Sequence, residues 1–211
     1  MTRKGRSLAV PVMLGNNRDE GRLFAGLLGY GLRLRTRGDY EKRVGRMYPQ
    51  AAPVLAEYAP VAAQSRWQAY AELVTDGSFA CPIRRLGQAL ATRAPVYAYE
   101  FDDPQAPFGL PRWPFATPLR SFHAAELVYV FQRPWVLSGD RPLAPRQQAL
   151  SRAMQDYWGA FARHGDPNGP GRPAWPHFDG RTPLALSVDG IAPTHDFARV
   201  HRCDFWDAQA R

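Results

Sequence analysis

Apolar positions along the chain fall into two patterns, short continuous or alternating runs of strand length and longer stretches with apolar residues three and four apart. Leu8 to Leu14 is nearly continuous, which predicts a parallel strand covered on both faces. Gly15, Asn16 and Asn17 then predict a turn, leaving Asp19 and Glu20 just beyond the strand's carboxyl end. In open α/β sheets functional side chains collect at that end. The same residues also read as an ordinary helix start, with Asn17 or Asp19 capping a helix from about Gly21 and Glu20 favoured in its first turn.

Further along, Gly21 to Gly31 predicts a short apolar helix or turn, Gly38 to Tyr48 a helix ahead of Pro49, and Ala52 to Tyr58 a second one ahead of Pro60. From Ala62 to Arg93 the pattern is helical, with Asp76-Gly77-Ser78 as a break that caps a new helix from Phe79 to Thr92. Ala94 to Phe101 alternates small and aromatic residues and predicts a strand. A Pro-rich connection from Asp102 to Pro118, with Trp113 between Pro111 and Pro114, leads to Ser121–Phe131. Pro145 to His164 is the clearest helix, its stripe formed by Leu150, Met154, Tyr157, Trp158 and Phe161 and its end by Gly165. Thr182 to Val188 with a turn at Asp189-Gly190 predicts a small hairpin, and Phe197 to Ala208 a terminal helix. There are no internal repeats and no domain linker.

Composition narrows the class. With 45% hydrophobic and 12% aromatic residues, 211 residues can bury one sizeable core, which excludes a disordered chain. No apolar run approaches the roughly 20 residues of a membrane span, and the charged start Met1–Arg6 has no cleavage site, so no signal peptide is expected. The net charge of +8 comes almost entirely from arginine, with lysine only at positions 4 and 42. The densest run, Arg33, Arg35, Arg37, Lys42, Arg43 and Arg46, fits no nucleic-acid-binding pattern, so no nucleic-acid partner is expected. Cys81 and Cys203 are too few for a zinc site and are either buried thiols or one long-range bridge. A bridge implies an oxidising compartment, extracellular or periplasmic.

Ester hydrolysis by a serine enzyme needs a nucleophile, a histidine that takes and returns its proton, and a carboxylate that fixes the imidazole. Glu20 follows one predicted strand and His123 the next, the order of acid and base in α/β-hydrolases. Gly15-Asn-Asn-Arg-Asp-Glu-Gly21 resembles the acid loop of the type-B carboxylesterases, the cholinesterase-like family. Phe122-His-Ala-Ala-Glu-Leu-Val-Tyr-Val-Phe131 resembles that family's loop bearing the catalytic histidine. Thr75–Pro82, Phe161–Asn168 with Trp175-Pro176, and Arg202–Trp206 follow in the family's order, so the resemblance runs from about Leu8 to Trp206.

The resemblance implies an α/β fold: the last strands of a mostly parallel α/β-hydrolase sheet with packed helices and a small C-terminal hairpin. By it, Glu20 is the triad carboxylate, His123 the base, Glu126 a support for the loop, and Cys81 and Cys203 a disulfide. The implied substrate is a small carboxylic ester and no cofactor or metal is needed. The family's G-x-S-x-G nucleophile is not found: none of Ser7, Ser65, Ser78, Ser121, Ser138, Ser151 or Ser187 has glycine at both −2 and +2. Residues 1–211 are therefore expected to be the C-terminal portion of one carboxylesterase domain without its nucleophile-bearing portion, inactive alone. Its open sheet flank should aggregate or stay molten without a complementary N-terminal piece. The alternative is a non-catalytic cholinesterase-like interaction module, to which Glu20 and His123 would be superfluous. Trp113, Phe115 and Phe122 are candidate aromatic walls near the base, with packing of the long loop as their competing role.

Overall fold

A computed structural model describes residues 9–29, 34, 36–109 and 118–210. Leu8, Gly31, Arg33, Arg35, Pro111, Trp113, Pro114 and Phe115 lie outside the described residues. The fold is α/β, built on a four-stranded sheet in the order β1 (Val12–Asn17), β2 (Val96–Asp102), β3 (Leu184–Ser187), β4 (Gly190–Pro193). The first three strands are parallel, and β4 closes an antiparallel hairpin on β3.

Period-two alternation along β2 sorts the layers. Phe101, Tyr97 and the partly buried Tyr99 join the cluster formed with helix α8 (Pro145–His164), whose Leu150, Met154 and Tyr157 are buried there beside Trp175, Leu184 and Leu186. Val96 and Ala98 face the other way, onto Phe178 with Val12, Leu14 and Leu90. Trp175 is fully buried and donates its indole N–H to the Ala98 carbonyl, tying the loop after α8 to the central strand. Pro145 opens α8, and Gly165, at φ +72°, ends it in the left-handed conformation that glycine adopts without steric cost.

A second core belongs to the helices α1 (Glu20–Gly29), α2 (Arg37–Met47), α3 (Ala51–Glu57), α4 (Ala59–Gln64) and α5 (Arg66–Val74). Thr36 and Asp39 form a capping box on α2, and the Ser65 hydroxyl caps α5 by accepting from the Gln68 amide. The chain then continues through α6 (Cys81–Ala91), α7 (Leu127–Phe131), α9 (Phe197–Val200) and α10 (Cys203–Gln209).

Several boundaries differ from the pattern reading, among them Pro60, which lies inside α4 instead of between helices, and Ser65, which interrupts the stretch expected to be helical from Ala62. The first strand runs to Asn17, so Gly15, Asn16 and Asn17 pair with Tyr99, Glu100 and Phe101 instead of turning. Gly15 is needed because a Cβ there would lie 2.4 Å from the Tyr99 carbonyl oxygen. Asp76-Gly77-Ser78 does not break the helix: Thr75–Ala80 is a π-helix running continuously from α5 into α6. The terminal helix does break, at Arg202, whose φ of 51° starts α10 in a new direction. Cys81 and Cys203, both fully buried at the first positions of α6 and α10, form a disulfide across 122 residues of chain. On the flank of β1 away from β2 no strand is found among the described residues, and Val12 to Gly15 are only half-buried.

Candidate active site

The end of β1 is stitched to two other segments by main-chain bonds. The Arg18 amide donates to Phe101 at the end of β2, and the Asp19 amide to Ser121 in the loop beyond. The loop bearing Asp19 and the loop bearing His123 are thereby held side by side. Gly21 packs against α5 so closely that a Cβ would lie 2.0 Å from the Ala71 carbonyl oxygen. Its amide donates to the Thr75 hydroxyl at 2.9 Å.

Glu20 is the first residue of α1, where the helix dipole favours a carboxylate, and its side chain is 6% exposed. One oxygen accepts from the Asn17 amide at 2.8 Å, and the other lies 2.6 Å from Nδ1 of His123, 103 residues away in sequence. Glu20 therefore serves the helix start and also contacts an imidazole. Asp19 instead pairs with Arg22 at 2.7 Å.

His123 sits in a loop whose neighbours are fixed from below. Asn17 donates through Nδ2 to the Phe122 carbonyl at 2.7 Å and to the Glu126 carboxylate at 2.5 Å, tying this loop to the end of β1. Burial raises the Glu126 pKa above the ordinary carboxylate value. Phe122 is fully buried and packs edge-on against Phe108, so it has the packing role. Ala124, at φ 66°, turns the chain immediately after the histidine.

The His123 side chain is 42% exposed. Its pKa is held above the ordinary imidazole value, chiefly by the hydrogen bond to Glu20, with burial opposing and the charges of Glu20 and Glu126 adding. With Glu20 ionised, Nδ1–H is the donor and the Nε2 lone pair points away from the acid. Among the described residues Nε2 has no hydrogen-bond partner. Two aromatic rings flank the imidazole: Phe24 with centroids 5.0 Å apart and Phe79 at 5.3 Å.

Among the described residues no serine hydroxyl is hydrogen-bonded to His123. Ser121, for example, is buried with its hydroxyl on Asp102 at 3.3 Å. Among the described residues no group of three or more His, Cys, Asp or Glu is arranged to hold a metal, and no helix is long and apolar enough to cross a membrane.

One buried polar cluster was not legible in the sequence. His201, almost wholly buried, has Nδ1 2.8 Å from Asp76 and Nε2 2.6 Å from Glu100. Burial works against its charge, but the hydrogen bonds and charges of the two carboxylates win and push its pKa up to about 9. Arg18 contacts Glu100 at 3.1 Å and Arg202 contacts Asp76 at 3.1 Å. Tyr58 donates to Asp76 at 2.7 Å and accepts from the Trp206 indole. The only hint in the chain is that Glu100 interrupts an otherwise apolar strand.

The geometry is that of a carboxylate-oriented imidazole at the tips of neighbouring parallel strands, and the family of the chain accords with it. A model of the carboxylesterase family matches residues 1–206. Similar proteins include cocaine esterase of Homo sapiens, 32% identical over 70% of this chain and 25% of that protein. Acetylcholinesterase of Gallus gallus is 32% identical over 93% of this chain and 27% of its own length. Acetylcholinesterase of Bungarus fasciatus is 30% identical over 98% and 36%. The chain thus spans about a quarter to a third of the length of these relatives. With Glu20 and His123 paired on such a sheet and the match running almost end to end, this chain belongs to the carboxylesterase family.

Proposed function

We propose that Glu20 and His123 are the acid and base of a Ser–Glu–His centre hydrolysing carboxylic esters, and that the serine and oxyanion donors come from sequence outside these 211 residues. The observation that carries the reading is the 2.6 Å bond from Nδ1 to a buried carboxylate, with Nε2 left unpaired among the described residues. In that arrangement Nε2 takes the proton of an attacking serine, Glu20 stabilises the imidazolium, and the proton returns to the leaving alkoxide. Water then repeats the sequence to release the acid. A base must be neutral to act, so the raised pKa of His123 moves the acid limb of the rate profile to higher pH.

The chain is then the C-terminal portion of a single carboxylesterase domain, and a complementary N-terminal piece covers the free flank of β1. The relatives named above are esterases by name, which supports an ester substrate. The test joins this chain to an N-terminal segment bearing G-x-S-x-G from a cholinesterase-like relative and follows hydrolysis of a nitrophenyl ester. Turnover that falls about 10⁴- to 10⁶-fold in His123→Ala is expected, by analogy with triad knockouts in serine hydrolases. Turnover indifferent to His123→Ala would overturn the assignment.

A further inference from the structure

We propose that the π-helix Thr75–Ala80 is the positioning element of the Glu20–His123 pair, with Thr75 fixing the backbone of the acid and Phe79 the plane of the base. The inference deepens the reading of Glu20 and His123 as acid and base, and rests on it. An imidazole that is 42% exposed and held, among the described residues, by one hydrogen bond can swing about that bond, which would carry Nε2 away from a nucleophile. Phe79 and Phe24 restrict this motion. Their rings are stacked on each other at 5.7 Å and 16°, and both lie tilted against the imidazole, at 50° and 43°. Phe24 follows Glu20 by four residues on α1, so acid and ring share one helix face. Phe79 comes from the π-helix.

The same segment reaches the acid. The amide of Gly21, second residue of α1, is one of the helix-start donors that have no partner within the helix. The Thr75 hydroxyl accepts from it at 2.9 Å and donates to the Ala71 carbonyl at 2.9 Å, bridging α1 to α5 next to Glu20. Valine would keep the shape and lose both bonds. Serine would keep both.

A π-turn takes in one residue more than an α-turn, and such insertions often mark functional sites. Here the wider turn lets successive residues serve opposite sides. Thr75 and Phe79 meet the pair, while Asp76 turns to Tyr58, His201 and Arg202, and Gly77 packs against Trp206 with no room for a Cβ. At its far end the segment meets Cys81, bonded covalently to Cys203. The element is thus anchored on the C-terminal segment and bears on acid and base together. Neither Thr75 nor Phe79 touches a reacting atom, so both are positioning residues.

The experiment is an NMR pH titration of the His123 ring in the protein joined to its N-terminal segment, read together with the low-field proton of the Nδ1–Glu20 bond. Thr75→Val and Phe79→Leu are each expected to weaken proton affinity about threefold or more, toward the ordinary imidazole pKa of about 6.5, and to broaden or lose the low-field proton. Thr75→Ser should retain both signals. The inference is overturned if Thr75→Val and Phe79→Leu leave both signals unchanged, or if Thr75→Ser is as damaging as Thr75→Val. Should Thr75→Val unfold the chain, Phe79→Leu decides alone, since its ring is only partly buried. Failure of the esterase reading would look different: these signals would behave as stated, while ester turnover in the joined protein would ignore His123→Ala.

Discussion

Replacing His201 by glutamine removes a buried positive charge shared by Asp76 and Glu100, and the cost can be worked out in two ways. A pKa of about 9 against an ordinary value of about 6.5 corresponds to about 3 kcal/mol of folding free energy. Breaking a buried ion pair costs about 3–5 kcal/mol, and the lower end applies because Arg18 and Arg202 still contact the two carboxylates. The two figures agree. Because the folded-state pKa is raised, the contribution is fully present below about pH 6.5 and is lost as pH rises through about 9. Urea unfolding of the protein joined to its N-terminal segment, with and without the substitution, at pH 6 and at pH 9.5 should therefore show His201→Gln destabilised by about 3 kcal/mol at the lower pH and by little at the higher. A difference that stays the same at both pH values would show that His201 is not a buried imidazolium, and the clamp between β2, the π-helix and the C-terminal segment would have to be explained by packing alone.

Reducing the Cys81–Cys203 bridge, or replacing both cysteines by serine, should cost about 5 kcal/mol in the chain-entropy model for a loop of 122 residues, measured as a shift in the urea midpoint with and without reductant. Gly21→Ala drives a Cβ into the Ala71 carbonyl and should destabilise the fold by about 1–3 kcal/mol, while lowering the pKa of His123 as α1 moves away from it. Trp175→Ala, which empties a fully buried site and orphans the Ala98 carbonyl, should cost about 3–5 kcal/mol in the same unfolding assay. In the joined enzyme, Glu20→Gln should reduce turnover strongly and return the acid limb of the rate profile toward the ordinary histidine value, because the carboxylate's hydrogen bond is the main cause of the raised pKa.

The parts legible in the chain were those fixed by local rules. Pro145 and Gly165 bracket α8 at the residues expected, because a proline at the first helical position and a glycine in the left-handed conformation act without tertiary help. Glu20 and His123 were legible as candidates from their motifs, but their contact depends on main-chain bonds from Arg18 and Asp19 to segments about 80 to 100 residues away. The turn expected at Gly15–Asn17 became strand because pairing with β2 outweighed the turn preference of glycine and asparagine. The π-helix escaped for a related reason: Asp76-Gly77-Ser78 has the composition of a cap, yet Asp76 is committed to His201, Arg202 and Tyr58, which only the folded chain brings near. Glu100 and His201 look like unremarkable polar residues until both are buried on the same spot.

The proposed reading is that this chain carries an oriented base without the nucleophile it serves. Its most direct test is hydrolysis of a nitrophenyl ester by the purified 211-residue chain alone, compared with its His123→Ala variant. No turnover above buffer is expected for either protein, since loss of the nucleophile alone costs on the order of 10⁶ in rate. Robust turnover by the chain, abolished by His123→Ala, would contradict it.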